Sequence, residues 1–385
     1  MLFASISRTE IAGHMNLALF FTSGVSLGDW AGIGLIEREV AIYRRLMADH
    51  GAGVSFITYG GRGECAHAGR LSGIGVHGNS WGLPKSLYRR LISRLHEKVL
   101  RQATVIKSNQ VLGSDVALAA ARRYGKPFVA RCGYLYSDFM EKAHGGKSPQ
   151  IRAARDLEER VYTGADRVVV TTQAMRTDIL DRYGLDAEKV QVIPNYVDTE
   201  LFKQKLELVS EPSAKARRIC FVGRLAEQKN LFTLFDAIKG LDVELLLVGD
   251  GHLRTMLEAK AKDEGLDVHF LGNVPHGDLP DIFAKSSLFV LPSRYEGHPK
   301  ALIEAMASGL AVIGTDVPGI GDLIEHSRTG VLCPPTKESL REAIQTVLDD
   351  APLRERLGRA AREYVLEHFT LGKIARAEYA LLAAL

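Results

Sequence analysis

Short apolar runs alternating with helical segments constrain this chain more than any other feature. In the second half the runs are ARRICFVGR, VELLLVGDG, VHFLGNV, SSLFVLPS and LAVIGTD. Between them lie LFTLFDAIKGL, HLRTMLEAKAKDEG, GDLPDIFAKS and PKALIEAMAS, each with helical spacing. Strands that are apolar throughout, rather than at every second residue, belong in sheets covered on both faces. The first half repeats the theme. MNLALFFTSG, from Met15, reads as a buried strand and a glycine loop. Gly32 and Gly34 precede a helix marked by Leu35, Ile36, Val40, Tyr43, Leu46 and Met47. Gly51 or Gly53 closes it, and VSFITYG is the next strand. Further strands are expected at ATVIKSN, PFVARCG, DRVVVTT and KVQVIPN, and the glycine-rich residues 60–82 read as a loop. Strand–helix alternation in both halves predicts an α/β chain of two doubly wound, Rossmann-like domains.

The 385 residues exceed one ordinary core, so two domains are the natural division. The break is expected in the polar, irregular stretch 201–217, separating a domain over 1–200 from one over 218–365. Residues 1–14 show no periodicity and read as an extension before a candidate start at Met15. The hydrophobic fraction of 46% is that of a globular chain. No apolar run reaches the roughly 20 residues of a membrane span, and the opening segment is a poor secretion signal. Cys65, Cys132, Cys220 and Cys333 are far apart and lack metal-ligand spacing, and no H-x-x-x-H pair occurs. This predicts reduced thiols, no protein metal site and a cytoplasmic location. The small net charge divides unevenly: residues 1–200 hold 26 Lys and Arg against 20 Asp and Glu, and the remainder 23 against 26.

The stretch SRYEGHPKALIEAMASG, Ser293 to Gly309, concentrates the chemistry. Pro299 suits the first helical position and Gly309 the stop, which predicts a helix over about Pro299 to Ser308. Residues eight apart on one helix are rotated by roughly 80°. Glu296 therefore lies in the preceding loop and Glu304 in the second turn. Between them sit the unpaired amides of residues 297 to 301. Such a helix N-terminus, fed by a glycine loop at the end of a parallel strand, attracts anions and lies where α/β sheets bind ligands. Flanking carboxylates would repel the anion but accept from neutral hydroxyls. A nucleotide sugar offers both, a diphosphate for the amides and hydroxyls for the acids. Taken alone, the acid pair is better explained by an ordinary helix with a solvated Glu304, because such pairs arise often by chance. FVGRLAEQKN adds Arg224 and Lys229 on the loop after another buried strand. Two cations near two phosphates contribute roughly 4 kcal/mol per close pair at an effective dielectric of about 20, before desolvation. As surface ion pairs they would contribute little. GDG at 249–251 and GNV at 272–274 are further turns on the same edge.

Taken together, VGRL with its following lysine, VGDG, LGNV, LPSRYEGHPKALIEAMASG and TDVPGIGDLIEHSRTGVLCPP resemble the retaining glycosyltransferases of family 4, which have the GT-B fold. VIPNYVDTELF is similar to the family's domain junction. The resemblance implies that Arg224 and Lys229 hold the donor diphosphate and stabilise it as it leaves. Glu296 would contact donor-sugar hydroxyls and Glu304 the ribose. The backbone around Val274 would face the base. The amides of Gly297, His298, Pro299, Lys300 and Ala301 would be the phosphate and sugar contacts, although proline brings no N–H of its own. Gly223 and Gly249 would close the strand-end turns beside them, and Gly32 and Gly34 would form a first-domain loop closing on the phosphates. Residues 366–385 would be a helix crossing back to the first domain. The expected reaction is metal-independent, cofactor-free transfer of a sugar from a nucleotide sugar to a glycan, lipopolysaccharide or lipid-linked acceptor. The first half departs from the family, which commonly carries His-Gly where this chain has Arg131, Cys132 and Gly133. Arg131, Tyr134 or His144 is then expected to shape that side of the site.

PKSLYRRLISRLHEKVLRQ, residues 84–102, places Leu87, Leu91, Ile92, Leu95 and Val99 at helical spacing among six basic residues. It fits a core helix with a solvated basic face, or a surface for anionic lipid on the inner face of a membrane. Nucleic acid is not an expected partner, because no aromatic platform adjoins this segment. An epimerase or phosphorylase on the same fold, or a non-catalytic carbohydrate binder, remains the alternative reading. A dehydrogenase fits less well, since the first glycine turn lacks its third glycine.

Overall fold

The computed structural model describes residues 15–144, 148–203 and 217–385. The 1–14 extension, most of the expected linker and the His144 side chain lie outside that set. Among the described residues, β1 (Asn16–Phe20), β2 (Gly53–Ile57), β3 (Gly75–His77), β4 (Val105–Ser108), β5 (Phe128–Cys132), β6 (Arg167–Val170) and β7 (Val190–Val192) form one sheet, in the order 3-2-1-4-5-6-7. A second sheet comprises β8 (Arg218–Val222), β9 (Glu244–Val248), β10 (Val268–Gly272), β11 (Leu288–Leu291), β12 (Ala311–Thr315) and β13 (Val331–Cys333), in the order 10-9-8-11-12-13. Every pairing in both is parallel. Helices follow most strands, so β11 and β12 are buried at every residue. Both sheets are doubly wound, with the order reversing between β1 and β4 and between β8 and β11. Ligands of such sheets bind at those switch points, beyond the strand C-termini.

Three local expectations are corrected. Residues 60–82 are not merely loop: a 3-10 segment Arg62–Arg70 and β3 lie within them. Glycines hid the strand, because a three-residue edge strand has no room for an apolar pattern. The basic helix breaks at the buried His96 into Lys85–Leu95 and Glu97–Gln102. Its inner positions are Tyr88, Ile92 and Leu100, while Leu87 is exposed. Pro299 is the N-cap, with extended ψ, rather than the first helical residue; the helix runs Lys300–Ala307 and Gly309 follows at φ 74°.

Two chain crossings run side by side between the sheets. The Val197 N–H donates to the Phe369 carbonyl at 2.9 Å, and the Leu371 N–H donates to the Val197 carbonyl at 3.0 Å. Beyond them, helix Leu371–Ala383 packs on helix Ile36–His50 of the first half. Its Glu378 makes a fully buried ion pair with Lys107 of β4. Loss of one partner from such a pair typically costs about 3–5 kcal/mol, so the C-terminal helix is firmly seated.

Candidate active site

The loop after β8 is shaped by glycines. A Cβ on Gly249, at φ 119°, would collide with the Gly223 carbonyl, so the turns after β8 and β9 can touch only because Gly249 lacks a side chain. Gly223 also lies against the lysine stem, with Lys229 Cε 3.5 Å from where its Cβ would be. The chain then turns through a short 3-10 segment, Glu227–Lys229, ending at Asn230 with φ 54°. This turn aims Lys229 at the loop after β11, where its ammonium pairs with Glu296. Glu296 also accepts from Ser293 Oγ at 2.6 Å and from Gln228 Nε2 at 3.4 Å. The Arg224 side chain is exposed and makes no hydrogen bond or ion pair among the described residues. Its charge nonetheless reaches two phenols, Tyr295 of its own half and Tyr134 of the other. Burial pushes both phenols up, and Arg224 opposes that shift.

Helix Lys300–Ala307 begins just beyond Glu296 and has no side-chain cap. Its first amides lack intrahelical partners. Glu304, one turn in, is 1% exposed. One of its oxygens shares a 2.8 Å hydrogen bond with His276 Nε2 and lies 3.8 Å from Arg38 Nη1. The other is buried with no partner. Glu304 lines a cavity of about 490 Å³ with Arg38, Tyr196 and His276.

The two halves meet tightly around this loop. A Cβ on Gly297 would strike the Gly133 carbonyl and come within 3.2 Å of Tyr134 Cβ. Gly34, at φ 73°, sits against the Val274 carbonyl, 3.0 Å from where its own Cβ would be. Lys300 Nζ donates to both Glu39 oxygens, at 2.7 and 2.8 Å. Burial opposes ionisation of Glu39, but the Lys300 and Arg38 charges win and hold it at about 2. The Arg131 guanidinium donates to Asn195 Oδ1 at 2.8 Å, and Asn195 Nδ2 donates to the His298 carbonyl at 2.6 Å.

The structure therefore brings Lys229, Glu296, Gly223, Gly249 and Gly297 together, with Arg224 beside them. It seats Gly34 on Val274. One expectation is corrected. Gly32 is the last residue of a short helix, Leu27–Gly32, with open space where a Cβ would be; the glycine at positive φ in the loop after β1 is Gly24. The Lys300 ammonium faces Glu39, which leaves only the Lys300 backbone at the open helix N-terminus. The His298 ring is buried 5.4 Å from the Phe369 ring, and burial with the Arg131 and Lys300 charges pushes it down to about 3. Arg131 braces the loop through Asn195. Spacing gave no sign of His276, Glu39 or Arg38, because Glu304 and Lys300, which they meet, are distant from them in sequence.

Comparison with known proteins gives one answer throughout. The model for "Glycosyltransferase Family 4" matches residues 36–201 and that for "Glycosyl transferases group 1" matches residues 203–364. A D-inositol 3-phosphate glycosyltransferase of Paenarthrobacter aurescens is 26% identical over 365 residues, 87% of this chain and 88% of that protein. A glycogen synthase of Mycobacterium tuberculosis is 24% identical over 282 residues, 71% of this chain and 67% of that protein. Among solved structures, Anabaena Alr3699/HepE in complex with UDP and glucose superposes with a TM-score of 0.76 at 23% identity, covering 97% of this chain and all of that one. The sucrose-phosphate synthase of Thermosynechococcus elongatus gives 0.77 at 21% identity, with the same coverage. With both halves matched and nearly the whole chain superposing on these structures, the chain belongs to the family 4 glycosyltransferases of GT-B fold.

Proposed function

We propose that this glycosyltransferase moves a hexose from a nucleoside-diphosphate sugar to a hydroxyl acceptor with retention of configuration. The observation that carries this reading is the uncapped N-terminus of helix Lys300–Ala307, flanked by Arg224, Lys229 and Glu296 where the halves meet. The diphosphate would lie over the helix amides between the two cations. Glu296 would accept from sugar hydroxyls, and the unpartnered Glu304 oxygen from a ribose hydroxyl. Bond breaking starts between the anomeric carbon and the diphosphate oxygen, and the electron pair leaves with the diphosphate. Arg224, Lys229 and the amides stabilise that developing charge, the kind of interaction that contributes most to such reactions. The acceptor oxygen bonds to the anomeric carbon from the same face, and its proton passes to a diphosphate oxygen. The two carboxylates are assigned to hydroxyl binding rather than to the acid–base pair of a hydrolase.

A lipid-linked or lipopolysaccharide acceptor is supported by the exposed Trp81 and Leu87 beside Lys85, Arg90 and Arg94. An apolar and cationic surface of that kind suits an anionic membrane face. No helix among the described residues is long and apolar enough to cross a membrane. The test is a thermal-shift panel of UDP, GDP, UDP-glucose and GDP-mannose, followed by product analysis with and without acceptor. Stabilisation by one nucleotide class and product only with acceptor supports transfer. Isomerised donor without acceptor points to an epimerase, and no stabilisation by any nucleotide defeats the reading.

A further inference from the structure

We infer that Glu296 makes the site favour a sugar-bearing donor over the free nucleoside diphosphate, because its carboxylate is the resting partner of the Lys229 ammonium. The inference rests on the donor site proposed above. Lys229 and Glu296 are 12% and 7% exposed and form an ion pair. Ser293 and Gln228 hold the same carboxylate in place. A diphosphate that binds Lys229 must first take it from Glu296. When a sugar is attached, its hydroxyls can replace the ammonium as donors to the carboxylate. A bare nucleoside diphosphate brings no such donor, and it leaves a buried carboxylate facing phosphate with its strongest partner gone. An uncompensated buried charge is costly, so the ion pair opposes product more than substrate. Its re-formation after transfer assists release of the diphosphate. Arg224, unpaired at rest, attracts both ligands alike.

The test measures calorimetric affinities for UDP and UDP-glucose, and for GDP and GDP-mannose. The proteins are wild type, Glu296→Gln, Lys229→Met and the double variant. Glutamine keeps the volume and can still accept from Ser293, but gives Lys229 no counter-charge. Glu296→Gln should bind the diphosphate about tenfold more tightly, with the preference for the sugar-bearing form reduced, as expected for a released charged hydrogen bond. In the Lys229→Met background the same change should add no tightening. Glu296→Asp, one methylene shorter, should shift the same way by less and serves if the glutamine variant misfolds. Diphosphate affinity within about twofold of wild type in Glu296→Gln would overturn the inference while leaving the donor site intact. So would tightening that persists without Lys229, which would mark general repulsion between carboxylate and phosphate. Failure of every nucleotide to bind wild type would instead remove the donor site itself.

Discussion

Each half of the molecule has a helix N-terminus beyond a strand that borders its sheet's switch point, and the two are finished in opposite ways. Helix Leu27–Gly32 is doubly closed. Ser26 and Asp29 form a reciprocal capping box, with Asp29 N–H donating to Ser26 Oγ at 3.0 Å and Ser26 N–H to Asp29 Oδ2 at 2.7 Å. The buried Glu64 carboxylate then accepts from the Leu27 amide at 3.1 Å and from Thr58 Oγ1 at 2.5 Å. An internal anion already fills that end. Helix Lys300–Ala307 has a proline N-cap, no side-chain cap and two cations nearby. Both ends carry the same backbone dipole, but only the second has amides left for a ligand. A helix N-terminus marks an anion site only when the protein has not supplied the anion itself.

Three substitutions test that contrast. The largest effect is expected at the open end. Arg224→Ala should lower kcat/KM by about 100-fold or more, roughly the 3 kcal/mol associated with losing one donor to a developing oxyanion. Its melting temperature should stay unchanged, since Arg224 has no partner to lose; near-normal turnover would detach this cation from the reaction. At the closed end, Glu64→Gln should cost about 2 kcal/mol of stability, because a buried carboxylate accepting several hydrogen bonds becomes an amide with one acceptor. Nucleotide affinity should hold. A drop in affinity without a drop in melting temperature would mean that the first helix, too, takes part in binding.

The smallest effect concerns the contact that ties the open end to helix Ile36–His50 of the first half. Glu39 titrates at about 2 in the folded chain against 4.5 for an unperturbed glutamate. Its contribution to stability is therefore complete above about pH 4.5 and is lost as pH falls towards 2. Glu39→Gln should flatten that acid limb by about 1 kcal/mol, the scale of a partly exposed ion pair. Acid melting curves that superpose for the two proteins would show that the Lys300 contact does not contribute.

The open end was legible in the sequence because its parts are contiguous. Pro299, Gly309 and the two glutamates fall within seventeen residues, and Arg224 and Lys229 follow one apolar strand. The apolar runs of β8 to β12 were legible for the same reason: coverage of both sheet faces leaves a signal in every residue. The closed end was not legible. Glu64 lies 37 residues from the amide it caps, in a glycine-rich segment without periodicity, and Thr58 gives no hint of it. Glu39 and Lys300 are 261 residues apart, and only docking of the two halves makes them neighbours. His276 and Glu304 meet although β9 and β8 separate β10 from β11 in the sheet, a contact that no local pattern carries. Gly32 misled for a related reason. Glycine before a helical pattern signals a turn, but here it ends a preceding helix.

The central claim is that a nucleoside diphosphate binds at the amides of helix Lys300–Ala307, between Arg224 and Lys229. A crystal structure of the chain soaked with the nucleoside diphosphate that stabilises it tests this most directly. The account predicts phosphate oxygens within hydrogen-bonding distance of those amides and of both cations, with Lys229 drawn away from Glu296. Phosphates seated at the loop after β1, or a Lys229–Glu296 pair left undisturbed beside a bound nucleotide, would contradict it.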